Sequence, residues 1–345
     1  MTTSGVSTHR EALSALRRAW EVVEPRMRTS LDEFCPAFRT VVGYHLGWCD
    51  AAGEPVSAGG GKAVRPALAL SAAQALGAAE QAAADAAVAV ELVHNFSLVH
   101  DDVMDGDERR RHRGTVWSVF GIPTAILAGD VMLMAAQQVL LSGGHPVATR
   151  ALAVLGDTVQ QMLYGQMLDI SFESRQDVAS DDVLIMTEGK TASLIRCACT
   201  LGAMYGDGGP DEVAALGDFG RHLGMAFQYV DDLLGIWGRP DRTGKPVWSD
   251  LRARKKSLPV VAALSGGTAA GRELARLYGS PAALSDDQLV AVAELVDEAG
   301  GRSWARARAD RHLQEALSCL EAVDADPRAV RVLVAISRLI TDRDG

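Results

Sequence analysis

Apolar residues recur at helical spacing along most of this chain. Near the start Leu13, Leu16, Trp20 and Val23 step three or four residues apart, which predicts a helix over about 7–28. Residues 1–6 lack that pattern and are expected to be disordered. Ser30 reads as the N-cap of a second helix ending near Gly47. Residues 50–61, DAAGEPVSAGGG, form a Gly/Pro-rich loop, and Lys62 to Pro66 then open an Ala-rich helix to about Leu76. A central helix is predicted over about 82–104, with others near 123–142, 147–174, 181–205, 210–236, 251–264, 286–299, 302–323 and 327–340. GHP at 144–146, GDGGP at 206–210 and GRPDRTGKP at 238–246 separate them. No strand alternation, hairpin signal, repeat or long linker stands out. The pattern predicts a single all-α domain over residues 7–345, built of long packed helices.

Composition narrows the picture. Hydrophobic residues are 48% of the 345 but aromatics only 5%, so the core must be mostly aliphatic. The net charge of -10 argues against non-specific nucleic-acid binding by the whole chain. The cysteines (Cys35, Cys49, Cys197, Cys199, Cys319) are odd in number, and the 197/199 spacing matches no zinc site. They read as reduced thiols of a cytoplasmic protein. The first twenty residues contain no apolar signal-peptide stretch, and no run of 18 uncharged apolar residues predicts a membrane span.

Two acidic interruptions of the aliphatic pattern carry the chemistry. The first lies in ELVHNFSLVHDDVMDGDERRRHR, residues 91–113. On a helix, Asp101 and Asp105 are one turn apart on one face, His94 lies two turns below Asp101, and Asp102 sits beside them. Three close carboxylates repel one another, and the simplest neutraliser is a divalent cation. Oxygen-only ligands suit a hard ion such as Mg2+, which is commonly shared with substrate phosphates. Arg109, Arg110, Arg111 and Arg113 follow at once and suit diphosphate oxygens. The bland alternative is a solvated helix end, but apolar residues run straight into the acids. The second interruption is FQYVDDLLGIWG, residues 227–238, where Gln228, Asp231 and Asp232 share a helix face among apolar neighbours. Uncompensated carboxylates there would be costly, so a metal or a cationic partner is implied. GGGKAVRP, with Lys62 and Arg65, is not a P-loop, and neither is the GKT at 189–191.

Together these segments resemble the trans-isoprenyl diphosphate synthases. DDVMD at 101–105 with Arg110 and Arg111 looks like that family's first Asp-rich motif, and QYVDD at 228–232 like its second. GGKAVRP, GQMLD (165–169), KTASL (190–194), GKP (244–246) and Asp250 to Lys255 fall in the family's order. The resemblance implies long, mostly antiparallel helices around a central apolar cavity, and a homodimer through the apolar helices near 123–170. It implies a Mg2+-dependent prenyltransferase joining isopentenyl diphosphate to allylic diphosphates, with three Mg2+ ions per active site once diphosphate is bound. Asp101, Asp102, Asp105, Asp231 and Asp232 would then serve the metal. Arg110, Lys190, Gln228 and Lys245 would contact the allylic diphosphate, Thr191 the region of the reacting carbon, and Lys255 would help close the site. Lys62, Arg65, His94 and Arg111 would hold isopentenyl diphosphate.

Phe96, five residues before Asp101, lies about 7.5 Å down the helix axis at ~1.5 Å per residue. An aromatic there with the small Ser97 beside it resembles synthases that stop near C20, so geranylgeranyl diphosphate is the expected product. One departure matters: the family's second motif usually reads DDxxD, and here the fifth position is Gly235. Other readings are a synthase of different chain length, or a non-catalytic subunit, for which Gly235 is the sole argument. A terpene cyclase fits less well, because the second motif lacks the Ser and Glu of a cyclase triad.

Overall fold

The structure is a computed structural model describing residues 3–56, 61–175, 177–239, 247–280 and 282–342. Among these residues the fold is helical apart from one short hairpin. The helices are α1 (Thr3–Asp32), α2 (Pro36–His45), α3 (Val64–Ala75), α4 (Ala84–Asp105), α5 (Val116–Phe120), α6 (Ile122–Ser142) and α7 (Ala148–Ser174). There follow α8 (Ser180–Thr187), α9 (Ser193–Tyr205), α10 (Pro210–Trp237), α11 (Ser249–Arg252) and α12 (Leu258–Ser265). The tail forms α13 (Ala269–Tyr278), α14 (Asp286–Glu298), α15 (Gly301–Glu321) and α16 (Pro327–Thr341).

Several boundaries differ from expectation for local reasons. The first helix begins at Thr3, and no Pro or Gly pair stops it from running back past residue 7. Its buried stripe is Ala12, Leu16, Ala19, Val23 and Met27, whereas Leu13 is exposed. Ser30 caps nothing: its hydroxyl bonds the Met27 carbonyl inside α1. The break falls at Cys35, whose extended backbone (φ -61°, ψ 152°) is the conformation favoured before a proline. The predicted 251–264 helix is split by Arg254, whose φ of 52° is left-handed. A helix over 269–278 was not foreseen; Thr268 caps it by accepting from the Gly271 amide at 2.9 Å.

Contacts divide the chain into two compact units. One comprises residues 1–159, 197–217 and 322–336; the other comprises 160–196, 218–321 and 337–345. Neither is a continuous stretch, so no linker announces them in the sequence. In the first unit α4 is surrounded by α1, α3 and α6, with α6 its most extensive neighbour. Alanine-rich faces make this close approach possible: Ala69, Ala72, Ala86 and Ala89 are all fully buried. By length and composition α6 could cross a bilayer, but Asp130 interrupts it and its buried face packs on α4. In the second unit Phe172, Met186, Met225, Tyr229 and Leu258 centre one apolar cluster, and Ile236, Leu274, Leu289 and Val296 another.

Candidate active site

The first constellation grows from the C-terminus of α4. An apolar helix delivers Asp101 and Asp102 about one turn before its end, and Gly106 (φ 69°) closes the helix in the left-handed region. Asp102 is 1% exposed. Its Oδ1 accepts from Arg110 Nε at 2.7 Å, while its buried Oδ2 has no partner. Burial pushes the Asp102 carboxyl up, and Asp107 and Asp105 push the same way against Arg110. A buried carboxylate oxygen without a donor, beside Asp101 and the exposed Asp105 one turn on, fits a hard cation.

Arg110 reaches Asp102 because the chain turns back at once. β1 (Arg109–Arg110) and β2 (Arg113–Gly114) pair antiparallel, a hairpin that sequence reasoning did not predict. Its two turn residues, Arg111 (φ 50°) and His112 (φ 65°), are both left-handed, which suits a two-residue hairpin loop but not these side chains intrinsically. Tertiary bonds hold it: Tyr44 Oη donates to the Gly114 carbonyl at 2.9 Å, and Arg113 donates to the Cys49 carbonyl at 3.0 Å. Arg110, Arg111 and Arg113 line a cavity of about 130 Å3 with Asp102, His45 and Tyr44.

Beneath the hairpin lies a buried polar cluster around His94. Glu91, 4% exposed in an otherwise apolar run, accepts from Asn95 Nδ2 at 3.3 Å, and His45 Nε2 lies 3.1 Å from Asn95 Oδ1. Gly61 lets Arg111 close over this cluster: a Cβ there would sit 3.4 Å from Arg111 Nη2 and 3.5 Å from Glu91 Oε1. Arg65 enters from the first turn of α3, with a buried Nε that has no partner. Burial, then Arg65 and Arg111, hold the His94 imidazole well below its ordinary range. Burial lifts the Glu91 carboxyl, against Arg65. Lys62 is exposed at the edge of α3. Sequence reasoning missed His45, Glu91 and Asn95; a lone Glu within AVAVELV was the available signal.

Burial, and then Arg111, push His45 from 6.5 down to about 3. The unfolded ring takes up a proton below about pH 6.5 that the folded ring refuses, so stability present above that pH is lost as pH falls. His45→Asn is therefore expected to remove about 2 kcal/mol of the loss between pH 7 and pH 5. Urea unfolding of both proteins at the two pH values checks this; equal losses would sink it.

The chain-length candidates sit further down α4. Phe96 is buried and meets His100 edge-on, with centroids 4.9 Å apart. Ser97 Oγ donates to the His94 carbonyl at 2.9 Å.

The second constellation belongs to the other unit. Thr191 Oγ1 donates to Gln228 Oε1 at 2.8 Å, and Gln228 Nε2 donates to Asp232 Oδ1 at 2.7 Å. Asp232 Oδ2 accepts from the Leu258 amide at 2.9 Å. Burial pushes Asp232 up to about 6 despite Lys255. Burial alone would lower Lys255, but Asp232, Asp250, Asp169 and Asp231 outweigh it and keep the ammonium charged. Asp231 is half-buried beside Asp232. Lys190 Nζ pairs with Asp169 Oδ2 at 2.6 Å. Sequence reasoning gave Asp169 and Asp250 no role of their own. Lys245 lies outside the described residues.

Lys190 and Thr191 are presented by a π-helical turn, Glu188–Ala192, where one continuous helix over 181–205 was expected. The turn packs closely against α7. A Cβ on Gly165 of α7 would run into the Lys190 backbone, and one on Gly189 would lie 2.7 Å from the Gln161 carbonyl. Gly165 and Gly189 thus let two backbones meet in van der Waals contact at this turn, and such widened turns recur at functional sites.

Residues 47–296 match the polyprenyl synthetase family. A (2E,6E)-farnesyl diphosphate synthase of Mycobacterium bovis is 49% identical over 339 residues, covering 97% of this chain and 94% of that protein. A geranylgeranyl diphosphate synthase of Mycobacterium tuberculosis is 43% identical, covering 95% and 93%. Among solved structures, a polyprenyl synthetase from Streptomyces coelicolor A3(2) has a TM-score of 0.92 at 46% identity, covering 95% of this chain and 99% of that one.

Proposed function

Since the chain belongs to the polyprenyl synthetase family, we propose that it extends allylic diphosphates with isopentenyl diphosphate and stops at the C20 geranylgeranyl diphosphate. Its fold is the all-α isoprenoid synthase fold, and it is a prenyltransferase. The observation that carries the substrate reading is the arginine-lined cavity against Asp102. Three guanidinium groups around one small cavity suit diphosphate oxygens.

In this reading Arg65, His94, Arg111 and Lys62 hold isopentenyl diphosphate. The neutral His94 supplies one donor without adding charge. Arg110, Lys190 and Gln228 hold the allylic diphosphate, and Thr191 faces the reacting carbon. Mg2+, held by Asp101, Asp102 and Asp105 and by Asp231 with Asp232, would supply positive charge for the departing diphosphate. The allylic carbon–oxygen bond breaks, the isopentenyl double bond attacks the resulting cation, and a proton leaves to the released diphosphate. No side-chain base is required. Apolar walls exclude water, which would otherwise quench the cation.

Phe96 supports the C20 stop; the name of the 49% identical relative favours a C15 stop instead. Both are tested by incubating the enzyme with Mg2+, isopentenyl diphosphate and C5, C10 or C15 primers, alongside Phe96→Ala. The expected result is a C20 product that lengthens by one or more C5 units in the variant. A C15 product from the parent enzyme retires the C20 reading, and an unchanged length in the variant retires Phe96 as the floor.

A cytoplasmic homodimer completes the proposal. Its support is the exposed apolar surface of Ile122, Ile126, Leu127 and Met134 on α6, and of Leu163, Tyr164 and Met167 on α7. Light scattering should give twice the chain mass, and Leu163→Glu with Met167→Glu should halve it. A monomeric parent protein would rule the dimer out.

A further inference from the structure

Half-buried in the second unit, three side chains converge that the prenyl-transfer reading does not use. His222 comes from α10, and His312 and Glu315, three residues apart, come from one face of α15. His222 Nδ1 lies 3.0 Å from His312 Nδ1 and 3.0 Å from Glu315 Oε2. His312 Nδ1 lies 3.5 Å from the same oxygen. A tetrahedral ion with bonds of about 2.0–2.1 Å sets its ligand atoms about 3.3 Å apart. The three observed separations bracket that edge.

The donors suit such an ion in other ways. Burial holds both imidazoles below their ordinary range, with Arg221 adding to it for His222 and His222 for His312. Only one proton can lie between the two Nδ1 atoms, so at least one lone pair points into the cluster. The His312 ring is fixed in place by stacking on Tyr229, which itself meets Trp304 edge-on. We propose that His222, His312 and Glu315 form a site for a borderline divalent transition ion of the Zn2+ class, chemically distinct from the all-oxygen carboxylates suited to Mg2+. Two imidazoles and one carboxylate favour Zn2+ over Mg2+ because nitrogen donors bind the softer ion better. A bound ion would brace α10 against α15.

Arg221 sets how readily the site fills. Its Nη2 lies 3.0 Å from His222 Nε2, and its Nη1 lies 3.4 Å from Glu188 Oε1. The guanidinium donates to Nε2, which puts the ring proton on Nδ1, facing Glu315. An ion at Nδ1 shifts that proton to Nε2, where it would meet the guanidinium. Binding therefore needs Arg221 to leave the ring for Glu188, with no net proton released by His222.

The test is calorimetric titration of the whole protein with Zn2+ in excess Mg2+, which occupies carboxylate sites, with thermal melts alongside. One Zn2+ per chain is expected, raising the melting temperature. Binding should weaken at least tenfold in His312→Gln and in Glu315→Gln, and tighten several-fold in Arg221→Ala. Glu315 is partly exposed and Arg221→Ala removes no ligand, so both variants remain informative if circular dichroism shows His312→Gln unfolded. Affinities unchanged in Glu315→Gln and Arg221→Ala would overturn the proposal. So would binding that disappears in Cys319→Ala yet persists in Glu315→Gln, since that thiol lies one turn further along α15.

Discussion

Gly235→Asp, which rebuilds the acid that the second motif lacks, is expected to lower kcat/KM by about a hundredfold or more rather than improve the enzyme. A Cβ at 235 would run into the Asp250 carboxylate, with Oδ1 at 2.9 Å. Asp250 thus fills the space that a side chain at 235 would take, and its charge already supports Lys255. Adding a further acid displaces Asp250 and adds repulsion to a cluster where burial already pushes Asp232 up to about 6. Reaction geometry is sensitive to displacements of about 1 Å, which sets the size of the effect. Steady-state kinetics on Gly235→Asp and on Gly235→Asp with Asp250→Gly form the test, and the second change should recover much of the loss. A single variant as active as the parent would show that Asp250 does not occupy this role.

Asp102→Ala is expected to cut kcat by about a hundred- to a thousandfold, the usual scale for removing one preorganised charge-stabilising group. The carboxylate both orients Arg110 at 2.7 Å and holds a buried oxygen with no donor. Folding should suffer little. Burial works against the ionised form of Asp102, and the Arg110 left behind is a third exposed, so water can solvate it. The measurement is kcat together with the melting temperature. A large stability loss with near-normal turnover would make Asp102 a structural anchor and move the metal role to its neighbours.

What the sequence by itself determined follows from periodicity and local chemistry. α4, α6, α7, α10 and the last three helices were legible because apolar spacing persists over several turns, and Gly follows α4, α6 and α10 at once. Asp101, Asp102, Asp105, Asp231 and Asp232 were legible because acids inside an apolar helix need a compensating partner nearby. Tertiary contacts decided the rest. The hairpin over 109–114 places two non-glycine residues at positive φ, a local cost met only by Tyr44 and Arg113 reaching distant carbonyls. At the π-turn bearing Lys190, Gly165 and Gly189 bring two backbones together across more than twenty residues of sequence. His45, Glu91 and Asn95 form a cluster only once α2 and α4 pack, and Asp250 fills the place beside Gly235 only once α10 and α11 meet. Spacing records what one helix face can share; contacts between helices depend on which small residues allow close approach, and that is decided only when the chain packs.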